Sequence, residues 1–316
     1  MSEDAKKIHV GGQAVIEGVM MRSSEYVATA VRKPDGRIAL KRELYVSWTK
    51  RFKILGLPFF RGGVVLIESL VLGIKALNFS GEVAMTEEEK KKEKPKKSGK
   101  EGQGDTLSKL VLGGTIFLAL GLGFGIFFFL PLLITEWIGV EGSLMFNLVD
   151  GLIRLAFFII YLVLISLWKE IRRVFEYHGA EHMSIFAYEG GKPLTVEGVR
   201  AFTTHHPRCG TSFLMVVMIV AFMVFIVLGK PDAVGDRLIR FLFVPVIGGI
   251  SYEVIRLSNS RYGRFFSRIL VAPGMWLQRV TTKEPDDSQL EVALVALKSS
   301  LDMDVGDGVD MTPVKA

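Results

Sequence analysis

The sequence predicts an α-helical integral membrane protein with about four transmembrane helices, a small N-terminal β unit and C-terminal amphipathic helices. Hydrophobic residues make up 49% of the chain and the mean hydropathy is positive, which exceeds what a soluble domain of this length usually shows. The run from Leu110 to Thr135 carries no charged residue, and it is long enough to cross a hydrocarbon core of about 30 Å. These observations indicate a chain that spans a membrane several times.

Residues 1–50 are predicted to form a cytoplasmic β unit. The sequence Lys33–Arg37 supplies turn residues between two segments of strand-like composition, Tyr26–Val31 and Ile38–Val46. This pattern predicts a β-hairpin.

The run Gly11–Arg22 places Gln13 and Glu17 among apolar residues and glycines. Glycines at such places permit positive φ or a close backbone approach. Gln13 and Glu17 are therefore candidates to support the ligands of a functional site through hydrogen bonds. The alternative is that they hydrogen-bond within the β unit or face solvent.

Residues 51–80 are predicted to form an interfacial amphipathic helix. Their apolar stretch, Val64–Leu77, is shorter than the roughly 20 residues that a spanning helix needs, and it carries Glu68 and Lys75. We therefore expect this helix to lie on the membrane. Residues 81–108 follow as a disordered linker, because they are rich in lysine and glutamate and hold too few apolar residues to offset the entropy of folding.

Residues 109–260 are predicted to form a four-span membrane domain with a cytoplasmic His/Cys segment at 169–212. After Leu110–Thr135, the other predicted spans are Leu152–Trp168, Phe213–Leu228 and Leu238–Ile255. Lysines and arginines cluster before the first span, after the second and after the fourth. The positive-inside rule then places both termini and the His/Cys segment in the cytoplasm.

The net charge of +6 comes from these membrane flanks, where it is attracted to anionic lipid headgroups. It therefore predicts the lipid bilayer as a partner and no nucleic acid. The first 50 residues contain no apolar segment typical of a cleavable signal peptide, so targeting is expected to use the first span.

Residues 261–302 are predicted to form juxtamembrane and C-terminal helices, followed by a flexible tail at 303–316. Leucines recur at helical spacing after the acidic sequence Glu284–Asp287, which favours a helix start. The leucines in question are Leu290, Leu294, Leu297 and Leu301. This apolar stripe is expected to dock on the β unit or on a membrane-protein partner.

Four of the five histidines and the only cysteine lie between residues 178 and 209. On a helix, His178 and His182 share one face, and Glu181 borders it. Imidazole, thiolate and carboxylate groups are the ligands of zinc-like metals. The cluster therefore predicts a divalent metal site, with zinc as the expected ion. The five residues His178–His182 have the H-x-x-E-H form of the inverzincin metalloproteases, where the histidines are ligands and the glutamate is the general base.

A further ligand is expected from Glu253 or His205. Glu253 is the only acidic residue in the fourth predicted span, and a carboxylate there is costly unless it is paired or coordinated. The alternative is an ion pair between Glu253 and Arg256, which lies on the same helical face.

His205 and Cys209 are four residues apart with Pro207 between them. They either complete the metal site or flank it, capping the third span. Arg208 is a candidate to stabilise an anionic intermediate or to hold a lipid phosphate.

Three stretches, Gly11–Arg22, Glu176–His182 and His206–Phe213, resemble those of the YqhQ-like family of bacterial membrane proteins. That family is catalogued as a domain of unknown function and described as candidate metal-dependent enzymes. The resemblance implies a multi-pass protein of the bacterial cytoplasmic membrane. It also implies a set of motif residues, namely Gln13, Glu17, His178, Glu181, His182, His205, Arg208 and Cys209.

The leading hypothesis is a metal-dependent hydrolase at the cytoplasmic face of the membrane that acts on an amphiphilic substrate. His178 and His182 are the expected ligands, and Glu181 and Arg208 the expected catalytic residues. The alternative is a non-catalytic membrane scaffold or partner subunit, in which the cluster is a structural polar network or a closed metal site. A transporter is less favoured, because no inverted repeat is evident.

Overall fold

The computed structural model describes residues 8–57, 60–86, 103–258, 264–306 and 308–311. The fold is mostly helical with a small N-terminal strand unit. The chain divides into two compact units. The first comprises Met1–Met85, Val163–Val220 and Phe243–Ala316, and the second comprises Thr86–Leu162 and Ala221–Leu242.

A five-stranded sheet lies in the first unit, in the order β1-β2-β3-β4-β5 within the described residues. Its strands are β1 (Gly11–Val15), β2 (Gly18–Arg22), β3 (Tyr26–Arg32), β4 (Ile38–Leu44) and β5 (Val309–Met311). The first four are antiparallel neighbours. The predicted hairpin is present as β3 and β4, whose turn is closed by Gly36 at φ +86°.

Strand β5 pairs in parallel with β4, with Val309 opposite Ile38. Lys33 and Arg37 of the β3–β4 turn both form ion pairs with Asp310, which holds the strand in place. The sequence predicts these residues as part of the flexible tail, because a segment of three residues is too short to show the alternation of a strand. Residues 312–316 of that tail lie outside the described residues.

Helices pack on both faces of this sheet. On one face lie α6 (Lys169–Glu189) and α12 (Asp287–Ser300), and the core between them and the sheet contains Val19, Tyr177 and Leu290. The other face contacts α2 (Phe60–Ala84), with a smaller core that contains Val27 and Ala76. The carboxylate of Asp286 caps the N-terminus of α12. The leucine stripe of this helix is buried against the sheet, as the spacing of the leucines predicted.

The remaining helices connect or extend these elements. They are α1 (Trp48–Arg51), α3 (Gln103–Phe124), a π-helix (Gly125–Phe129), α4 (Leu130–Ile138), α5 (Ser143–Ser166), α7 (Val196–Arg200), α8 (Gly210–Leu228), α9 (Val234–Leu242), α10 (Val244–Ser258) and α11 (Arg264–Thr281). A 3₁₀ helix spans Lys53–Gly56. The predicted linker at 81–108 falls largely on residues 87–102, which lie outside the described residues.

Among the described residues, five helical segments are long and apolar enough to cross a membrane, by length and composition. They are Arg61–Ala84, Gly113–Ile138, Ser143–Ser166, Gly210–Leu228 and Val234–Ile255. The count of such segments differs from the expected number of about four transmembrane helices. The additional segment is α2, which was predicted to be interfacial because its apolar stretch is short and carries Glu68 and Lys75. In the structure Glu68 lies within the helix, and its carboxylate is buried and hydrogen-bonded.

The second unit contains a buried polar network of its own. Asp150 of α5 accepts two hydrogen bonds from Arg154, at 2.9 and 3.0 Å. Arg240 of α9 lies 3.8 Å from the same carboxylate and donates to Asn147 Oδ1 at 2.7 Å. Ionisable groups in such apolar helices are costly unless they pair with one another, and here they do.

Candidate metal centre

Two histidines of α6, His178 and His182, form the first part of the candidate metal centre. Nδ1 of His178 lies 2.8 Å from the carbonyl oxygen of Thr281, and Nδ1 of His182 contacts the carbonyl oxygen of Thr204. Because a carbonyl can only accept, each Nδ1 donates a proton, and Nε2 is the ring atom that could bind a metal. The ring centroids are 4.4 Å apart. The backbone thus holds both rings in the tautomer and orientation that a metal ligand needs.

Cys209 brings a sulfur atom to these rings from the residue that precedes α8. Its Sγ lies 3.1 Å from Nε2 of His178, and it accepts hydrogen bonds from the backbone and hydroxyl of Thr211. One ligand atom from each of His178, His182 and Cys209 lies within 4.8 Å of the others. Tetrahedral zinc with ordinary bond lengths separates a nitrogen from a sulfur ligand by about 3.5 Å. The contact between His178 Nε2 and Cys209 Sγ lies near that separation, and the three side chains together are candidates for the ligands of one ion.

Burial controls the charge of these ligands. Burial, and to a smaller extent the neighbouring His178, lowers the pKa of His182 to about 2, so the His182 imidazole is neutral. Burial also raises the pKa of the Cys209 thiol, although hydrogen bonds from Thr211 oppose that shift. A bound cation would favour the thiolate and balance its charge.

Glu181 lies beside this group and is 6% exposed. Burial raises its pKa to about 7, and a hydrogen bond from the N–H of Gly12 partly opposes the shift. A Cβ atom at Gly12 would lie only 2.8 Å from Oε1 of Glu181. Gly12 therefore allows β1 to approach this carboxylate closely, because any larger residue would collide with it. The sequence indicates such an approach only through the neighbouring glycines Gly11 and Gly12.

A second glycine allows the ligand helix to approach the chain after α11. A Cβ atom at Gly179 would lie 2.1 Å from the carbonyl oxygen of Lys283. The loop before Cys209 is fixed from the same direction, since Gln278 accepts from the N–H of His206 at 2.7 Å and donates to its carbonyl at 2.9 Å. Sequence reasoning missed Gln278, because the polar residue and the loop it binds are far apart in the chain.

Glu17 and Gln13 occupy different environments. Glu17 adopts φ +53° in the β1–β2 turn, and its carboxylate accepts from the guanidinium of Arg173 and from the hydroxyl of Tyr177 at 3.3 Å. It therefore braces the helix that carries the histidines. Gln13 points elsewhere: its side chain lies against α2, where a Cβ atom at Gly73 would be 2.6 Å from Oε1.

Arg208 and His205 lie in the loop before α8 but outside the ligand group. The guanidinium of Arg208 pairs with Glu189 at the end of α6 and lies 3.5 Å from Nδ1 of His9. Nδ1 of His205 lies 3.2 Å from the hydroxyl of Thr203. The group of ligand atoms described above does not include His205.

The assignment of Glu253 as a metal ligand is corrected by the structure. Both carboxylate oxygens accept hydrogen bonds from Arg61 at the start of α2, one of them at 2.7 Å. The ion pair satisfies the carboxylate, as a polar group in an apolar helix requires. The alternative partner, Arg256, has a side chain outside the described part of the structure.

Comparison with known proteins gives a family without an assigned activity. The model of a family described as "Protein of unknown function (DUF1385)" matches residues 57–303. The uncharacterized protein YqhQ of Bacillus subtilis (strain 168) is 36% identical over 297 residues, which covers 92% of each chain. No solved structure matches. The chain therefore belongs to the YqhQ-like family of uncharacterised proteins.

Proposed function

We propose that this protein is a metal-dependent hydrolase of the bacterial cytoplasmic membrane, with His178, His182 and Cys209 as the ligands of a zinc ion. The observation that carries the proposal is the convergence of three ligand atoms within 4.8 Å, with both imidazoles held by backbone carbonyls so that Nε2 is free to bind. Three protein ligands that leave a coordination position open are typical of catalytic zinc sites.

A zinc ion held there would act as a Lewis acid toward a carbonyl or phosphoryl oxygen of the substrate. Glu181 is the proposed general base. Its carboxyl group is buried beside the ligands, and its pKa of about 7 matches the range in which a group both accepts and returns a proton at neutral pH.

We propose that Arg208 binds an anionic part of the substrate. Its guanidinium is paired with Glu189, so binding a substrate anion requires that it exchange this partner or share it. Its position one residue before Cys209 brings a positive charge to the loop that carries a ligand.

An amphiphilic substrate is favoured by the chain around the site. The ligand helix α6 follows the membrane-length segment Ser143–Ser166, and Cys209 directly precedes the segment Gly210–Leu228. A site whose residues are flanked in the chain by two such segments would be open to molecules that diffuse in the bilayer. The proposed substrates are therefore lipid esters or segments of membrane proteins, at the cytoplasmic face given by the positive-inside rule.

A scaffold with a structural metal site is the second candidate. It is favoured by the rigidity of the loop at His206, which Gln278 holds through two hydrogen bonds. A Glu181→Gln variant separates the candidates. If the protein is a hydrolase, the variant retains metal and fold but loses its cellular phenotype. If the protein is a scaffold, the phenotype persists.

Metal content of the purified full-length protein tests the proposed site. We expect stoichiometric zinc in the wild type and its loss in His178→Ala and His182→Ala. His205→Ala is the matched control, because His205 lies in the same cluster but outside the ligand group, and it should retain zinc. A wild-type protein that contains no metal even after reconstitution, or equal loss in the control, would contradict the proposal.

A further inference from the structure

Strand β1 forms one edge of the sheet, and within the described residues β2 is its only strand neighbour. Its first three residues, Gly11, Gly12 and Gln13, are exposed. Proteins usually protect such an edge with a charged residue or a proline, and β1 contains neither. On the other side of the sheet, β4 is covered by β5. Strand β1 is therefore open to pairing with a further strand.

The hydrogen bond from Gly12 to Glu181 shows which backbone groups of β1 face away from the sheet. In an antiparallel pair, the N–H and C=O of one residue point to the same side, and alternate residues point to opposite sides. The N–H of Gly12 points to Glu181, so the carbonyl of Gly12 and both backbone groups of Ala14 also face away from β2. Outside the helices and strands, no backbone hydrogen bond between described residues uses these three groups. They are available to an added strand.

A small cavity lies beside this edge, where the sheet meets α2. Its volume is about 130 Å³, and the residues that line it include Gly12, Gln13, Met20, Ser69 and Leu72. Small-molecule sites usually enclose about 300–1,000 Å³, so this cavity is suited to a single side chain. When a peptide adds a strand to a sheet edge, main-chain hydrogen bonds give the affinity and side-chain pockets of this kind give the specificity.

A strand added to β1 passes the proposed general base. Neighbouring strands are about 4.8 Å apart, and the carboxylate of Glu181 lies at the open edge, where a Cβ atom at Gly12 would be 2.8 Å from its Oε1. A backbone carbonyl of the added strand therefore comes next to this carboxylate. An edge that offers both donors and acceptors matches a polypeptide, which carries both. A lipid ester matches it less well, because its ester groups have no N–H.

We propose that this edge binds a polypeptide in extended conformation, which pairs with Gly12 and Ala14, places one side chain in the cavity and is the substrate of the metal centre. The cleavage rests on the proposed hydrolase, whereas the binding does not. Hydrolysis would add one water across a peptide bond. The water oxygen bonds to the carbonyl carbon, the C–N bond breaks, and Glu181 carries the water proton to the leaving nitrogen.

The binding test uses the full-length protein in detergent and fluorescently labelled β-casein, an unstructured polypeptide whose mixed sequence is sufficient for main-chain pairing. Ala14→Pro removes the outward N–H without removing a bond to β2. We expect the affinity measured by fluorescence anisotropy to fall about fivefold, the effect of one hydrogen bond. Ala14→Ser retains the N–H and is the matched control. No binding of β-casein to the wild type, or an equal loss in the two variants, would overturn the proposal.

Hydrogen exchange and a second pair of variants locate the bound polypeptide. Bound β-casein should slow amide exchange in residues 11–15. Ser69→Trp fills the cavity and should weaken binding, whereas Leu70→Trp should not, because Leu70 is exposed and does not line the cavity. Protection confined to other described segments, or equal effects of the two tryptophans, would contradict strand addition at β1.

Cleavage assays separate this inference from the proposed hydrolase. The zinc-loaded protein is given β-casein and, in parallel, a fluorogenic phospholipid ester. Cleavage of β-casein that falls in Ala14→Pro while the zinc content is unchanged supports both proposals. Binding of β-casein with no cleavage of either compound supports strand addition and contradicts the hydrolase. Cleavage of the phospholipid alone, with no β-casein bound, supports the hydrolase and overturns the polypeptide substrate.

Discussion

The two units bury polar groups in opposite ways. In the second unit, the buried carboxylate of Asp150 lies between the guanidinium groups of Arg154 and Arg240. Arg240 also donates a hydrogen bond to Asn147. In the first unit, one possible ligand atom from each of His178, His182 and Cys209 lies within 4.8 Å of the others. Paired charges stabilise a fold without a ligand, whereas a cluster of imidazole and thiol groups can be stabilised further by a cation. The difference separates a structural network from a candidate site.

Breaking the paired network should have the largest effect. Asp150→Leu leaves two buried guanidinium groups without their carboxylate, and we expect a loss of about 3–5 kcal/mol in the free energy of unfolding. Thermal or denaturant unfolding in detergent measures it. A second substitution, Arg154→Met, should recover part of the loss because it removes one of the unpaired charges. An unchanged stability in Asp150→Leu would show that the network does not hold the unit together.

Glu181 should make the stability of the metal-free protein depend on pH. Its folded-state pKa of about 7 lies above the ordinary value of 4.5, so the folded protein binds the proton more tightly than the unfolded chain. The stabilisation is complete below about pH 4.5 and is lost as the pH rises to about 7, with a total of about 3 kcal/mol. Unfolding measured from pH 5 to 8 should show this decline, and Glu181→Gln should flatten it. A decline of equal size in the variant would assign it to another group.

Zinc should stabilise the first unit through the cluster alone. At a free concentration of about one hundred times its dissociation constant, a ligand of the native state contributes about 2.7 kcal/mol. We expect this gain in the wild type and in Asp150→Leu, but not in Cys209→Ala. Melting curves with and without zinc give the comparison. If Cys209→Ala were stabilised as strongly as the wild type, the thiol would not be a ligand.

Glu17 should have the smallest effect, because it acts on the ligands through α6. Glu17→Gln weakens the contact with Arg173, and we expect zinc affinity to fall by about tenfold, the lower end of the range for residues that orient ligands. Glu25→Gln is the control, since Glu25 lies in the neighbouring turn and carries the same charge. Competition with a chromophoric chelator measures both affinities. Equal affinities for the two variants would exclude a positioning role for Glu17.

Local spacing was sufficient to predict that the two histidines of the candidate site lie side by side. His178 and His182 are four residues apart in a segment with helical features, and helical geometry places such residues on one face. Their rings are adjacent in the structure. For Glu253, the sequence suggested a metal ligand or, as the alternative, an ion pair with Arg256. It could not identify Arg61, which lies 192 residues away in the chain.

The number of membrane-length helices shows a second limit of local reasoning. Charged residues within α2 argued against a spanning helix, because the sequence does not show which charges are neutralised by contacts. Glu68 accepts hydrogen bonds from residues that precede it in the chain by about 20 positions. An apolar stretch read alone therefore underestimates the length of a helix whose polar residues have partners elsewhere.

The sequence by itself determined the mostly helical class with several apolar helices of membrane length, the strand unit, the helical pair of histidines and the family motifs. Composition and short-range periodicity follow directly from the residues. Only the tertiary structure showed that Cys209 contacts His178 and that Glu253 pairs with Arg61. It also showed that the absence of a side chain at Gly12 leaves room for the carboxylate of Glu181. These contacts join segments far apart in the chain. Their formation depends on packing summed over many residues, which no local pattern encodes.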